Sequence, residues 1–287
     1  MDLMVERHER GGTGEIDAAD RWRLVVDRAC HDVPGAEVLV AAHLVGSERR
    51  WTLDAERVVP AASTIKTAIL VTLYRAIDAG ELTLDDRHPV TAVARVPGSG
   101  VLTWMSPELV LSVADLAYLM IAVSDNTASN LLLEVLGLER VRATIDALGM
   151  HRTELRRPFV GRAVAPGEPD NLTCATDLVA LLSGIAAATA ATVESCARIR
   201  ATLSQQQDRA RLARFLPTTS GFAGKSGSLD GIVHDTGLLD TSHGPLAVAV
   251  LTRDLPDPYA AEALIGRIAE ALVAEIETVA SRPFPPE

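Results

Sequence analysis

The chain reads as an α/β protein whose sheet is assembled from both ends, with an all-helical domain inserted between them. Residues 36–45 and 51–55 near the start, and 221–228, 232–240 and 246–253 near the end, are short apolar runs bounded by turn residues, the pattern of strands. Between them apolar residues recur every three or four positions, the helical period. These observations predict an α/β domain from 16–60 and 215–287 and a helical domain from 61–214.

Residues 1–15 are charged and glycine-containing and read as a disordered tail. Residues 16–30 form an amphipathic helix with Trp22, Leu24, Val25, Val26 and Ala29 as its apolar positions, ended by Pro34-Gly35. The strands 36–45 and 51–55 then make a hairpin through Gly46-Ser47-Glu48-Arg49-Arg50. A helix runs from Ser63 to Ala79 and stops at Gly80. After an irregular stretch at 91–105, helices follow at 112–123, 126–136 and 138–148, the last two closed by Gly137 and Gly149. Residues 151–171 hold Pro158, Pro166 and no periodicity, so they read as a long ordered loop of the kind that carries function. Helices resume at 174–185 and 191–203. Three strands with turns at Gly231 and Gly244 come next, and an amphipathic helix at 258–279 closes the chain.

A hydrophobic content of 48% with 3% aromatics gives a globular core built on Leu, Val, Ala and Ile. The net charge of −11 argues against nucleic acid or an anionic membrane as partner. No apolar run reaches the length of a membrane span, and no stretch near the start resembles a signal peptide, so a cytoplasmic location is expected. Cys30, Cys174 and Cys196 are odd in number and lack metal-ligand spacing, so they read as free thiols. No metal or other cofactor is expected.

The chemistry centres on Ser63-Thr64-Ile65-Lys66. In a helix these two residues share a face, which sets an amine beside a hydroxyl. Of 27 basic residues only Lys66 and Lys225 are lysines. Arginine keeps its proton at any useful pH, whereas a desolvated lysine can act as a base. Ser124-Asp125-Asn126 falls in a turn between two helices, and Lys225-Ser226-Gly227-Ser228 on a strand, where Gly227 permits close backbone approach. Taken singly, each stretch also fits ordinary chemistry: Ser63 a helix N-cap, the second a cap, the third a turn.

Together and in this order, SxxK, SDN and KSG resemble the triple signature of class A β-lactamases and penicillin-binding proteins. The resemblance spans about residues 16–280. It implies the β-lactamase/transpeptidase-like fold: a five-stranded antiparallel sheet flanked by terminal helices, plus an inserted all-helical domain. It implies Ser63 as nucleophile, Lys66 as its base or hydrogen-bond partner, Ser124 as proton relay and Lys225 as a source of positive potential. Asn126 would hold a substrate amide side chain and Ser226 a substrate carboxylate. The N–H groups of Ser63 and Ser228 would form an oxyanion hole. His234, on a strand flanking the site, is either structural or a pocket residue.

The chain departs from the class A pattern in the 151–171 loop. Counting back from Pro166-Gly167-Glu168 puts Pro158 where class A enzymes carry the deacylating glutamate, and Arg162 where they carry an asparagine. Glu168 and His234 are the candidate substitutes. The expected function is a serine hydrolase acting through an acyl-enzyme on a small amide or ester, β-lactam-like, with slow β-lactam deacylation. A biosynthetic acyltransferase or esterase, or a non-turnover penicillin-binding sensor, would use the same acyl-enzyme.

Overall fold

The computed structural model describes residues 18–279 except positions 32, 34, 36, 107, 163, 255 and 256. The expected tail, the start of the first helix and Pro34 lie outside the described residues. Helix α1 (Ala18–His31) leads into β1 (Glu37–Leu44) and β2 (Arg50–Leu53), which form the expected hairpin. At the other end of the chain β7 (Phe222–Leu229), β8 (Ile232–Thr241) and β9 (Gly244–Arg253) make a meander, and α8 (Pro258–Val279) closes it. All pairings in this five-stranded sheet are antiparallel, in the order β2-β1-β9-β8-β7. The two halves meet where β1 pairs β9, from Glu37 opposite Arg253 to Leu44 opposite Leu246.

Both faces of the sheet are covered, which explains why β1 is a continuous apolar run and not an alternating one. Val38, Val40, Val248 and Val250 pack with Trp22 and Val26 of α1 and Leu264, Ile268 and Leu272 of α8. Leu39, Ala41, Ala249 and Leu251 face the other way and join the core of the helical block. Leu24, counted with the apolar stripe of α1, is instead half exposed at 54%.

The block is built on α2 (Lys66–Asp78), whose residues from Lys66 to Tyr74 are all buried. Around it lie α3 (Val113–Ala122), α4 (Asn126–Leu136), α5 (Leu138–Ala147), α6 (Ala175–Ala186) and α7 (Val193–Leu203). The start of α3 is fixed by a capping box in which Ser112 and Asp115 each bond the other's backbone N–H. Two short pairings escaped the sequence pattern: β3 (Val59–Pro60) with β6 (Leu172–Thr173), and β4 (Arg87–Pro89) with β5 (Val110–Ser112). The first ties the residues just before Ser63 to the end of the 151–171 loop, and Ala61 N–H donates to Asn171 O at 2.7 Å. Among the described residues no helix is long and apolar enough to cross a membrane.

Candidate active site

Ser63 does not begin an α-helix. It lies in a 3-10 turn, Ala62–Ile65, and α2 starts only at Lys66. The reason is Ala62, held at φ +46°, a left-handed conformation that a non-glycine residue adopts only when its surroundings enforce it. Those surroundings are the β3–β6 tie behind it and the edge strand β7 in front. A Cβ at Gly227 would sit 3.0 Å from both Ala62 Cβ and Ser63 N, so glycine is what lets β7 approach the backbone of Ser63.

Lys66 is fully buried, not the solvated first-turn residue that its position on α2 allows. Its Nζ donates to Ser124 O at 2.6 Å and Asn126 Oδ1 at 2.9 Å, and lies 3.2 Å from Ser124 Oγ. No carboxylate is among these partners. Burial first, then the charge of Lys225, holds the amine well below the ordinary lysine range, against a smaller opposing pull from Asp125. Ser124 is itself at φ +56°, between α3 and α4, with its carbonyl pinned by Lys66. Asp125 caps α4 at Ala128 N–H and also accepts from Val101 and Leu102 N–H, which locks the 97–102 loop to the same turn.

Lys225, on β7, is also fully buried and donates to Ser226 O at 2.7 Å. Burial lowers its amine to about 7, with Asp235 opposing the shift. Three groups that the sequence reading missed surround it. Gln206 Oε1 accepts from Ser226 N–H at 2.6 Å, and Arg211 donates to Gly227 O, His234 O and Ser228 Oγ. Asp235, fully buried on β8 opposite Ser226, accepts from Leu212 and Thr236 N–H, and burial raises its carboxyl to about 7. A signal was available: an aspartate in the middle of a strand of the sheet must find partners if it is buried, and here they include Gln206 and Leu212 from the segment before β7.

The cleft has two lobes that share Ser63, Ser99 and Ser228. One, of about 260 Å³, is lined by Ser124, Lys225, Ser226, Gly227 and Arg211. The other, of about 270 Å³, is lined by Asn126, Gly98 and residues of the 151–171 loop. The structure thus gathers Ser63, Ser124, Asn126, Lys225, Ser226, Gly227 and Ser228 in one cleft, with Lys66 beneath it.

His234 is outside the cleft and cannot line the pocket. It is fully buried, Nε2 bonds Pro60 O at 3.0 Å and Nδ1 accepts from Thr252 N–H at 3.1 Å. Burial lowers it to about 4, so it is a neutral tie between the sheet and the strand ahead of Ser63. Glu168 is no better placed as a base: it pairs with Arg162 and Ala165 N–H, which hold it down at about 2. Phe159 of the loop lies against Lys66, its ring centroid 4.6 Å from Nζ. Asn130 fixes it there, donating to Phe159 O and accepting from Phe159 N–H. The loop is further closed by the Arg157–Asp170 ion pair at 2.7 Å.

A sheet made from both ends of the chain around a helical block, with this cleft at their junction, is the β-lactamase/transpeptidase fold. Residues 26–276 match the model of the β-lactamase enzyme family, and the chain belongs to that family. It is 36% identical to a β-lactamase from Sphaerobacter thermophilus DSM 20745, over 90% of this chain and 97% of that one, with a TM-score of 0.85. A β-lactamase from Xanthomonas campestris pv. campestris str. ATCC 33913 is 22% identical over 91% of this chain and 99% of that one, TM-score 0.83. A mutant of PBP-A, solved as an acyl-enzyme complex with penicillin G, is 24% identical over 90% of this chain and 97% of that one, TM-score 0.81. No curated protein matches.

Proposed function

We propose that the chain is a serine hydrolase that acts through an acyl-enzyme on a small amide or ester, β-lactams included, and releases the acyl group slowly. The observation that carries this reading is the buried Lys66 amine, bonded to Ser124 and Asn126, which line the cleft with Ser63, and packed against the ring of Phe159. Ser63 Oγ attacks the substrate carbonyl and its proton passes to the Lys66 amine, whose charged form burial and Lys225 disfavour. The bond to the leaving nitrogen or oxygen then breaks, and that atom takes a proton delivered through Ser124. Backbone N–H groups of Ser63 and Ser228 stabilise the oxyanion, each donor being worth about 10²–10³ in rate. Lys225 and Ser226 give the second lobe hydrogen-bond donors suited to a substrate carboxylate, although Asp208 also lines it and pairs with Arg211 at 3.3 Å.

Hydrolysis needs a second base to activate water. Phe159 has no atom that can accept a proton from water, and Glu168 and His234 are committed elsewhere. Incubation with penicillin, cephalosporin and ester probes is expected to add one acyl group, mapped by peptide mass to Ser63. A label that persists in Ser63→Ala would overturn the mechanism.

The lysine pair also sets a pH dependence. Lys225 is protonated below about 7 and neutral above it. If its charge assists acylation, the acylation rate constant falls as pH rises through that value. Lys225→Arg, which stays charged, is expected to abolish this alkaline fall between about pH 6 and pH 9. A fall that persists unchanged in the variant would assign it to another group.

A further inference from the structure

The second lobe of the cleft carries an acid on its wall. Asp208 lines it together with Lys225, Ser226 and Arg211, and its side chain is 32% exposed. Two backbone bonds fix the segment that presents it: Gln207 N–H donates to Ala122 O at 3.0 Å, at the end of α3, and Asp208 Oδ1 accepts from Ala210 N–H at 3.1 Å. Gln206, which accepts from Ser226 N–H, also donates to Asp208 O at 3.3 Å. The carboxylate is therefore held between the end of α3 and β7, the two elements that wall the lobe.

The cations of the lobe have little charge to spare. Arg211 is buried, and its guanidinium donates to Gly227 O, His234 O and Ser228 Oγ. Its Nε faces Asp208 at 3.3 Å and Glu262 at 3.6 Å, and its charge also favours the ionised form of Asp235. One guanidinium thus answers to three carboxyl groups. Lys225 is buried and turned to Ser226 O, and burial brings its amine down to about 7 although Asp235 and Asp208 oppose the shift. A carboxylate entering the lobe finds donors on Lys225 and Ser226 but meets Asp208 as a like charge, which offsets the attraction. An uncharged group finds the same donors without that repulsion.

We propose that Asp208 determines specificity for the leaving group: it offsets the cations of the second lobe, so that substrates with an uncharged leaving group are taken as readily as those with a carboxylate there. This rests on the reading of Ser63 as the acylated residue and of Ser124, which lines the same lobe, as the donor to the leaving group. The test uses 3-carboxyphenyl acetate and 3-carbamoylphenyl acetate, whose leaving groups have nearly the same shape and differ in charge. In each the bond from the carbonyl carbon to the phenolic oxygen breaks as Ser63 Oγ takes the acetyl group, and the Oγ proton leaves on the released phenol. Acylation rates are divided by each ester's spontaneous hydrolysis rate. They are measured at about pH 5.5, where the aryl carboxyl is ionised, Lys225 is protonated and Asp235 is neutral. Lys225 and Arg211 then stand against the carboxylates of Asp208 and Glu262.

The wild type is expected to favour the carboxylate ester by no more than about threefold. Asp208→Asn, which keeps an oxygen for Ala210 N–H and removes the charge, is expected to raise that ratio about tenfold. Asp208→Ser serves if Asp208→Asn does not fold, with the same gain expected. A larger preference for the carboxylate in the wild type, or an unchanged ratio in the folded Asp208 variant, would overturn the proposal. Absence of any Ser63 adduct from either ester would instead overturn the acyl-enzyme reading, and the proposal with it.

Discussion

Lys66→Arg is expected to slow acylation of Ser63 by about 10³-fold, within the range of about 10²–10⁴ typical for loss of a general base. The substitution keeps the capacity to donate to Ser124 and Asn126 but fixes a positive charge at a fully buried position where the charged form of lysine is disfavoured. It removes the ability to give up and take back a proton. The Lys66 amine has that ability because burial and the nearby Lys225 disfavour its charged form. Lys225→Arg should cost far less, since the role proposed for Lys225 is to present charge to the cleft. Stopped-flow acylation with a 4-nitrophenyl ester measures both, and thermal melts verify that both variants fold. If Lys225→Arg is the more damaging change, the two roles are reversed.

Phe159→Glu is expected to have the second largest effect, accelerating loss of the acyl group from Ser63 by about 10²-fold or more. The Phe159 backbone is held from both sides by Asn130, so a new side chain starts from the same Cα, in the wall of the lobe that Asn126 lines. A carboxylate there would stand against an amine and over the space that a hydrolytic water must reach. The variant loses an apolar contact with the helical core and should melt lower than the wild type. Following the decay of the adduct by intact mass separates deacylation from acylation. An unchanged decay rate would mean that something other than the missing base limits release.

Most of the architecture was legible in the sequence because its elements announce themselves locally. The β1–β2 and β7–β9 runs are flanked by turn residues, α4 ends at Gly137, and the Ser112–Asp115 box opens α3. What was not legible depends on contacts between distant segments. The β3–β6 pair is two residues long on each side and has no pattern of its own, yet with β7 it confines Ala62 and so turns the start of the Ser63 helix into a 3-10 turn. Gln206, Arg211 and Asp235 converge from a loop and a strand, so their spacing in the chain carries no signature. The packing of Phe159 against Lys66 was not legible either, because counting along the loop from Pro166 gives no side-chain contacts. His234 was weighed as a pocket residue because strand alternation gives the face a side chain points to but not whether that face is open. Packed against Pro60, it is closed.

The most direct test of the account is the time course of product release when the protein is mixed with excess 4-nitrophenyl acetate, with the covalent state of Ser63 read by mass at each point. Formation of the adduct at Ser63, one equivalent of rapid release, and then turnover limited by decay of that adduct is the result expected from a buried Lys66 base and an apolar Phe159. Fast steady-state turnover with no burst and no adduct on Ser63 would contradict it.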